Sequence, residues 1–219
     1  MITICETFVS VQGEGLTVGT PAFFIRTGKC SVGCRFCDTK YSWSSRERKS
    51  VEELVAEAER AGFQTVIVTG GEPLEEEELP HLLTALKRAK PVKQVIVETC
   101  GHTFRDDLPR NVRLVLSPKP PSMGVPFPFE SVKAFLKHYR EVELKFTLFN
   151  GEDLKRIKEF IEESEGLLPS PVVFQPLETP LEDYGKTCKR VAQMLLSDGE
   201  LRKLPFRVIP QVHKLIGLK

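Results

Sequence analysis

The chain has 219 residues, of which 41% are hydrophobic, and this suits one α/β domain with a substantial core. Its 31 Lys and Arg residues nearly balance 30 Asp and Glu residues and alternate with them, which argues against a nucleic acid partner. No basic region precedes a long apolar stretch at the N-terminus, and the other apolar runs are too short to span a bilayer, so we expect a soluble, cytoplasmic protein.

Short β-branched and aromatic runs alternate with longer amphipathic stretches, which is typical of strands joined by crossover helices. Strands are predicted at residues 22–27, 65–69, 94–98, 113–117, 143–148, 172–175 and 207–212. Helices are predicted at residues 50–62, 76–89, 130–139, 152–164 and 184–197, and the proline-rich residues 119–129 should form a loop. The first helix has a capping box at Ser50 and Glu53, and it should end at Gly62.

The number of predicted strands limits the architecture. A complete eight-fold β/α barrel needs about 250 residues, whereas six or seven strands are visible here. We therefore predict an α/β fold, an incomplete and open β/α barrel, as a single domain over residues 1–219.

A cysteine cluster follows the first predicted barrel strand. Cys30, Cys34 and Cys37 are spaced C-x3-C-x2-C, and without a secretion signal they are better explained as metal ligands than as disulfides. Three thiolates on a [4Fe–4S] cluster leave one iron without a protein ligand and open to chemistry. Structural zinc prefers four closed ligands, and no histidine lies beside the triplet in sequence, although one could approach in the fold.

Polar or glycine-containing segments follow four other strands directly. Gly70 and Gly71 precede Glu72, and paired glycines at a strand end allow close backbone approach to a ligand. The other three are residues 98–101, 117–119 and 175–178. Each could be ordinary turn chemistry, but barrel enzymes place their sites at the C-terminal ends of strands, so four segments together favour a functional site. Cys5, Cys100 and Cys188 are interpreted as structural or incidental.

The cysteine spacing, with Phe36 just before the last thiol, resembles the signature of the radical S-adenosylmethionine (SAM) superfamily. The resemblance implies a [4Fe–4S] cluster on Cys30, Cys34 and Cys37, and SAM bound at the open iron and cleaved to a 5′-deoxyadenosyl radical. Residues 70–73 resemble the superfamily's GGEP motif, which contacts the SAM amino group. The SAM contacts that the resemblance implies are Gly71, Glu72, Ser117, Pro118, Lys119, Gln175, Pro176, Leu177 and Glu178.

Two further segments, residues 8–15 with 21–26 and residues 210–217, resemble the 7-carboxy-7-deazaguanine synthase family. That resemblance implies a radical ring contraction of 6-carboxy-5,6,7,8-tetrahydropterin to 7-carboxy-7-deazaguanine with loss of ammonia, in queuosine and deazapurine biosynthesis. Arg26 would pair with the substrate carboxylate, as a guanidinium fork can. The other implied substrate contacts are Val11, Gln12, Gly13, Thr69 and the C-terminal Lys219.

The same resemblance implies further partners. Mg²⁺ would lie near the substrate carboxylate with Thr39 as a hydroxyl ligand, although a plain turn is the alternative role for this residue. An electron donor of flavodoxin or ferredoxin type and a homodimer are also expected. One departure is Cys100, where a small residue such as Ser or Asn is expected, and cysteine is also small.

Two other functions compete with this one. A glycyl-radical activating enzyme shares the cysteine spacing and a small barrel but acts on a protein, for which residues 12–15 and Arg26 have no evident use. A non-catalytic iron–sulfur or zinc-binding protein would use the triplet as a structural clasp. The colour of the purified protein tests for a zinc clasp, because a closed zinc site is colourless and an iron–sulfur protein purified without air is brown.

Overall fold

The computed structural model describes residues 1–218, and these residues contain one nine-stranded sheet. The strands are β1 (Ile2–Val11), β2 (Pro21–Thr27), β3 (Glu47–Lys49), β4 (Thr65–Gly70), β5 (Gln94–Thr99), β6 (Arg113–Leu116), β7 (Val142–Leu148), β8 (Val172–Pro176) and β9 (Phe206–Val208). Their order across the sheet is β3-β1-β2-β4-β5-β6-β7-β8-β9, so β3 and β9 lie at opposite edges. From β2 to β9 all neighbours are parallel.

Helices connect the parallel strands as the sequence predicts, except between β5 and β6, where the described chain has no helix. They are α1 (Val51–Ala61), α2 (Leu79–Leu86), α3 (Phe129–His138), α4 (Gly151–Glu163), α5 (Tyr184–Ser197) and the short α6 (Val212–Leu215). Helix α1 has the predicted capping box, and Gly62 ends it in the left-handed conformation with φ 75°. No helix within residues 1–218 is long and apolar enough to cross a membrane.

The sheet curves without closing, which confirms the predicted open β/α barrel. The main core lies between the sheet and the helices, with Phe135, Phe146, Phe160 and Phe174 fully buried in it. A smaller apolar cluster faces the other side of the sheet and is formed by Ala22, Phe24, Ile67, Ile96 and Val115. Side chains alternate between the two faces of the sheet along each strand. Residues two positions beyond a member of the smaller cluster, towards the C-terminal end of its strand, therefore lie on the same face as that cluster.

The antiparallel edge of the sheet is absent from the sequence prediction. Strand β1 pairs with β2 and also with β3, so the N-terminal segment forms part of the sheet. The run of alternating β-branched and polar residues in β1 carried this signal. The antiparallel register places Val11 opposite Pro21, the first residue of β2, so residues 12–15 follow β1 at the N-terminal end of β2. From there Gln12 and Leu16 hydrogen-bond to Glu98 on β5 and Glu143 on β7.

Most boundaries lie within one or two residues of the prediction, and three regions differ in a way that proline or a separate turn explains. Helix α2 begins at Leu79, since Pro80 fits only the first turn, and residues 73–75 form a separate 3-10 turn. Strand β9 ends at Val208 and α6 begins at Val212, because Pro210 cannot continue the ladder. The proline-rich loop contains a 3-10 turn at Pro121–Met123, and its last predicted residue, Phe129, begins α3.

Candidate active site

The cysteine loop leaves β2 at Thr27 and is held from two sides. The backbone N–H of Gly28 donates to the Thr3 carbonyl at 2.8 Å, and that of Arg35 donates to the Met123 carbonyl at 2.8 Å. Cys34 is 6% exposed and packs with Met123 and Leu177. The proline-rich loop therefore covers the cysteine loop with apolar side chains.

Glycine is required at position 71 by the backbone of the cysteine loop. A Cβ on Gly71 would lie 1.6 Å from the Lys29 carbonyl oxygen. The N–H of Gly71 donates to the Thr27 carbonyl, and that of Glu72 donates to the Lys29 carbonyl, both at 3.0 Å. The close approach expected here is thus made to the cysteine loop, and the Gly71 N–H is not free for SAM.

The Glu72 carboxylate is 4% exposed and accepts four hydrogen bonds. Oε1 accepts from Thr99 Oγ1 at 2.6 Å and from the Leu74 N–H at 3.1 Å. Oε2 accepts from the Cys100 N–H at 2.9 Å and from Cys100 Sγ at 2.7 Å. Cys100 therefore has a structural role, because its two hydrogen bonds hold the Glu72 carboxylate in a fixed orientation at the end of β5.

Two of the three thiols, Cys30 and Cys34, lie in a setting that opposes their ionisation. Burial raises the pKa of the Cys30 and Cys34 thiols, while N–H groups of the loop counteract this at Cys30 and Lys119 does so at Cys34. Within residues 1–218, no three His, Cys, Asp or Glu side chains converge on one point as a single metal ion needs. A cubane offers a separate iron to each thiolate, so it fits a loop of three thiols that face one cleft.

One cleft at the C-terminal strand ends brings most of the predicted residues together. Among these residues it is lined by Val11, Gln12, Gly13, Arg26, Cys30, Cys34, Cys37, Thr39, Thr69, Gly71, Glu72, Ser117, Lys119, Gln175, Leu177 and Glu178. Within the described residues, Pro118 and Pro176 are not part of the cleft lining. Each directly follows a residue that faces the cleft, and in extended chain the next side chain points the other way. Lys219 lies outside the described residues.

The part of the cleft predicted to bind SAM carries polar groups from β7, β8 and the segment after β6. Lys119 Nζ donates to Ser117 Oγ at 3.3 Å, and Ser117 Oγ lies 3.4 Å from Thr147 Oγ1. Gln175 is 4% exposed, and its Oε1 has no hydrogen-bond partner within the described residues. A buried amide oxygen without a partner is costly, so this atom is available to a ligand donor.

The part of the cleft predicted to bind the substrate contains a hydrogen-bonded group centred on Glu98. Gln12 Nε2 donates to Glu98 Oε1 at 2.8 Å, and Thr69 Oγ1 donates to Glu98 Oε2 at 2.9 Å. Gln12 Oε1 accepts the N–H of Glu14 at 3.1 Å. Gln12, which follows β1, and Thr69, near the end of β4, are therefore joined by the Glu98 carboxylate of β5.

Arg26 is fixed at the rim of this side. Its Nε donates to Glu6 Oε1 at 2.8 Å, and Tyr41 OH donates to the same oxygen at 2.8 Å. The guanidinium lies 5.3 Å from the centre of the Phe8 ring and 6.0 Å from that of the Tyr41 ring. These contacts hold the planar fork, which can bind a carboxylate in two places.

Helix α6 joins both ends of the chain at the cleft. The N–H of Val212 donates to the Gly13 carbonyl at 2.9 Å, and a Cβ on Gly13 would lie 1.8 Å from His213 Nδ1. Lys214 Nζ donates to Asp38 Oδ2 at 2.9 Å and also bonds Glu178. The two terminal segments singled out by sequence thus pack against each other beside the cysteine loop.

Thr39 lies next to the last cysteine. Its Oγ1 is 3.5 Å from Cys37 Sγ, and its carbonyl accepts from both the N–H and the hydroxyl of Ser42. Thr39 lines the cleft, and a hard cation bound to its hydroxyl would take its other ligands from water or a bound molecule.

Comparison with known proteins agrees with this geometry. Residues 24–163 match the family model described as "Radical SAM superfamily". The 7-carboxy-7-deazaguanine synthase of Methanospirillum hungatei is 34% identical, with 98% of this chain and 85% of the relative covered. That of Pyrobaculum aerophilum is 33% identical, with 97% and 93% covered.

The chain belongs to the 7-carboxy-7-deazaguanine synthase family of the radical SAM superfamily. This membership confirms the expected [4Fe–4S] cluster and SAM as cofactors. The structure of QueE from Escherichia coli shares the fold, with a TM-score of 0.69 at 24% identity over 94% of this chain and 93% of that one.

Fold alone does not identify the substrate. Streptococcus suis SuiB bound to precursor peptide SuiA also matches, with a TM-score of 0.65 at 15% identity, over 84% of this chain and 47% of that one. One barrel therefore accompanies a peptide ligand in one protein and belongs to a deazaguanine synthase family in another. The named relatives, and not the fold, exclude the glycyl-radical activating enzyme and the non-catalytic clasp.

Several cleft residues were assigned no role of their own in the prediction. They are Glu14, Glu98, Lys145, Gln211, His213 and Lys214. Glu98 begins the segment 98–101 that the sequence singled out, and Lys145 alternates with apolar residues in β7, as Glu143 and Thr147 do, which indicates a polar face on this strand. The others stand within the two segments that carried the family resemblance.

Proposed function

We propose that this protein is a 7-carboxy-7-deazaguanine synthase, which converts 6-carboxy-5,6,7,8-tetrahydropterin to 7-carboxy-7-deazaguanine and ammonia. The observation that carries the proposal is a single cleft with three cysteines at one end and the Gln12, Thr69 and Glu98 group at the other. A substrate bound at the second group would lie beside the cofactor. Family membership supplies the reaction that fits this arrangement.

The cofactor end is assigned to the thiols and the strand ends around them. The cluster on Cys30, Cys34 and Cys37 would supply the electron that cleaves SAM to its radical. Glu72, held by β5, presents a buried carboxylate for the SAM ammonium group. Ser117, Lys119, Gln175, Leu177 and Glu178 would surround the rest of SAM.

The glycine and the two prolines predicted to contact SAM would instead shape the backbone around it. Gly71 shapes the backbone that carries Glu72. Pro118 and Pro176 act through the shape of their strand ends, since neither side chain lines the cleft in the described chain.

The substrate end is assigned by chemistry. Arg26 would bind the pterin carboxylate through its free fork, and Gln12 and Thr69 would donate to or accept from the pterin edge. Val11 and Gly13 line the same cleft, and the lack of a Cβ on Gly13 lets His213 pack against its backbone. Lys219 is assigned here from the family resemblance.

The surrounding residues keep water from the reacting atoms. Cys34, Met123 and Leu177 pack with half-buried Phe36 and Phe149 to form an apolar cover at the cysteine loop. A radical that can abstract unactivated hydrogen must be shielded, and the chain's contribution is positioning and exclusion. Arg26 and the Glu98 group would orient the substrate within this cover.

Mg²⁺, the electron donor and the homodimer belong to the same proposal. The Thr39 hydroxyl would be the protein ligand of Mg²⁺, with water and the substrate carboxylate as the other ligands. The electron donor would be of flavodoxin or ferredoxin type. Activity with and without Mg²⁺, compared between the unaltered chain and Thr39→Val, tests the metal assignment.

The decisive experiment is anaerobic incubation of the iron-reconstituted protein with SAM, a reductant, Mg²⁺ and 6-carboxytetrahydropterin, followed by mass analysis. Formation of 7-carboxy-7-deazaguanine, with SAM consumed at far less than one molecule per product, is the expected result. Cleavage of SAM without this product would overturn the substrate and keep the radical chemistry. No cleavage by a protein with full iron content would overturn both.

A further inference from the structure

Lys145 is a buried cation in the wall of the cleft. It lies in the middle of β7, its side chain is 4% exposed, and its Nζ bonds Glu14 Oε2. The other oxygen of Glu14 accepts from Gln211 Nε2 at 2.6 Å. Both Lys145 and Glu14 line the cleft, so this ion pair lies at its surface and not behind it.

Three carboxylates face Lys145 from three elements. Glu14 comes from the segment after β1, Glu98 from β5, and Glu143 from two residues earlier on β7. Glu143 is 3% exposed, and one of its oxygens has no hydrogen-bond partner in the described chain. Buried carboxylates without a cation take up a proton instead of keeping their charge.

The ion pair is linked to the residues assigned to the substrate. The N–H of Glu14 donates to Gln12 Oε1, and Gln12 Nε2 donates to Glu98. A change in the charge or position of Glu14 therefore reaches Gln12 and Glu98 through direct hydrogen bonds. The Glu14 carboxylate itself also faces the cleft.

We propose that Lys145 is a positioning residue that keeps the Glu14 carboxylate ionised and turned towards the substrate end of the cleft. The expected effect on substrate binding rests on the proposed function, whereas the effect on Glu14 can be measured without substrate. The charged or titratable groups that face Glu14 are Lys145 on β7, His213 on α6, Asp38 after the cysteine loop and Tyr184 on α5.

The first test is direct and uses the protein without substrate. The ¹³C carboxyl signal of Glu14, assigned by its loss in Glu14→Gln, is followed between pH 5 and 8. In the unaltered chain we expect no titration in this range, since Lys145 and Gln211 hold the pKa of Glu14 at about 2. In Lys145→Met the signal should titrate within the range, and Lys145→Arg should remove that titration.

The second test measures the equilibrium affinity of the reconstituted enzyme for 6-carboxytetrahydropterin and for SAM. Lys145→Met should weaken the pterin by at least about tenfold at pH 7, with the deficit shrinking as pH rises, and should leave SAM affinity and iron content unchanged. Lys145→Arg should restore most of the affinity. Lys158→Met, which removes a lysine ion-paired to Asp198 and outside the cleft, is the matched control and should change neither affinity.

A double-mutant cycle keeps the proposal testable where Lys145→Met alone fails to fold. In the Glu14→Gln background, Lys145→Met should change pterin affinity by less than about threefold, because its effect passes through Glu14. An equal loss in both backgrounds, or a Glu14 signal that stays ionised in Lys145→Met, would overturn the proposal. If the unaltered chain makes no deazaguanine, but Glu14 titrates in Lys145→Met and not in the unaltered chain, the proposed function fails and the role of Lys145 stands.

Discussion

Gly71→Ala tests whether the second strand-end glycine serves the cysteine loop. The added Cβ would lie 1.6 Å from the Lys29 carbonyl oxygen, far inside any real contact, so the backbone of one segment must move. Both segments are tied by the 3.0 Å hydrogen bonds from Gly71 to Thr27 and from Glu72 to Lys29. Movement therefore breaks or lengthens both bonds.

The expected cost follows from these contacts. Two lost backbone hydrogen bonds cost about 1 kcal/mol each, and overpacking adds about 1–3 kcal/mol. Gly71→Ala should therefore lower the free energy of unfolding by about 3–5 kcal/mol. At about 2–4 °C per kcal/mol for a domain of this size, the Tm should fall by at least about 6 °C.

Two measurements check this, namely thermal unfolding of the apoprotein and iron content after reconstitution. Gly151→Ala is the matched control, because Gly151 starts α4 with nothing within 4 Å of an added Cβ. The control should stay within about 0.5 kcal/mol of the unaltered chain and load iron normally. A Gly71→Ala protein as stable and as fully loaded as the control would refute the steric argument.

Three other predictions address the site. Cys34→Ala should abolish SAM cleavage and lower the iron content after reconstitution, while Cys188→Ala, on α5 outside the cleft, should retain both. Arg26→Ala should weaken the pterin by about tenfold or more and SAM little, as measured by equilibrium binding; equal losses would show that Arg26 does not bind the substrate. Because the pKa of Glu14 is lowered from 4.5 to about 2 by Lys145 and Gln211 against the effect of burial, its contribution to stability is present above pH 4.5 and is lost as pH falls towards 2. Glu14→Gln should therefore flatten the pH dependence of unfolding between pH 5 and 3, and an unchanged slope would contradict this.

Much of the fold could be predicted because its signals are local. The inner strands are apolar runs of β-branched residues, and Ser50 with Gly62 marks α1 at both ends through caps that involve near neighbours. The antiparallel pairing of β1 escaped prediction, since its alternating pattern does not name its partner strand. The start of α6 also escaped, because four helical residues carry no clear period.

The site divides in the same way. The cysteine spacing predicted the thiol cluster from a single loop, where sequence neighbours are spatial neighbours. For Gly71, the sequence predicted that its backbone approaches another group closely but not which group. The structure shows that this group is the Lys29 carbonyl. Glu98 was singled out only as part of a strand-end segment, and Lys145 was missed, because the role of each depends on partners from distant parts of the chain.

The sequence by itself determined the strand-and-helix alternation, the thiol triplet and the resemblance that names the family, because each depends on residues close together in the chain. The tertiary structure decided which groups share the cleft. Glu14 and Lys145 are 131 positions apart in the chain, and Gln211 and Glu14 are 197 apart, yet each pair is in contact. Such pairs arise only when the sheet curves and brings the ends of distant strands to one face, and no local pattern specifies them.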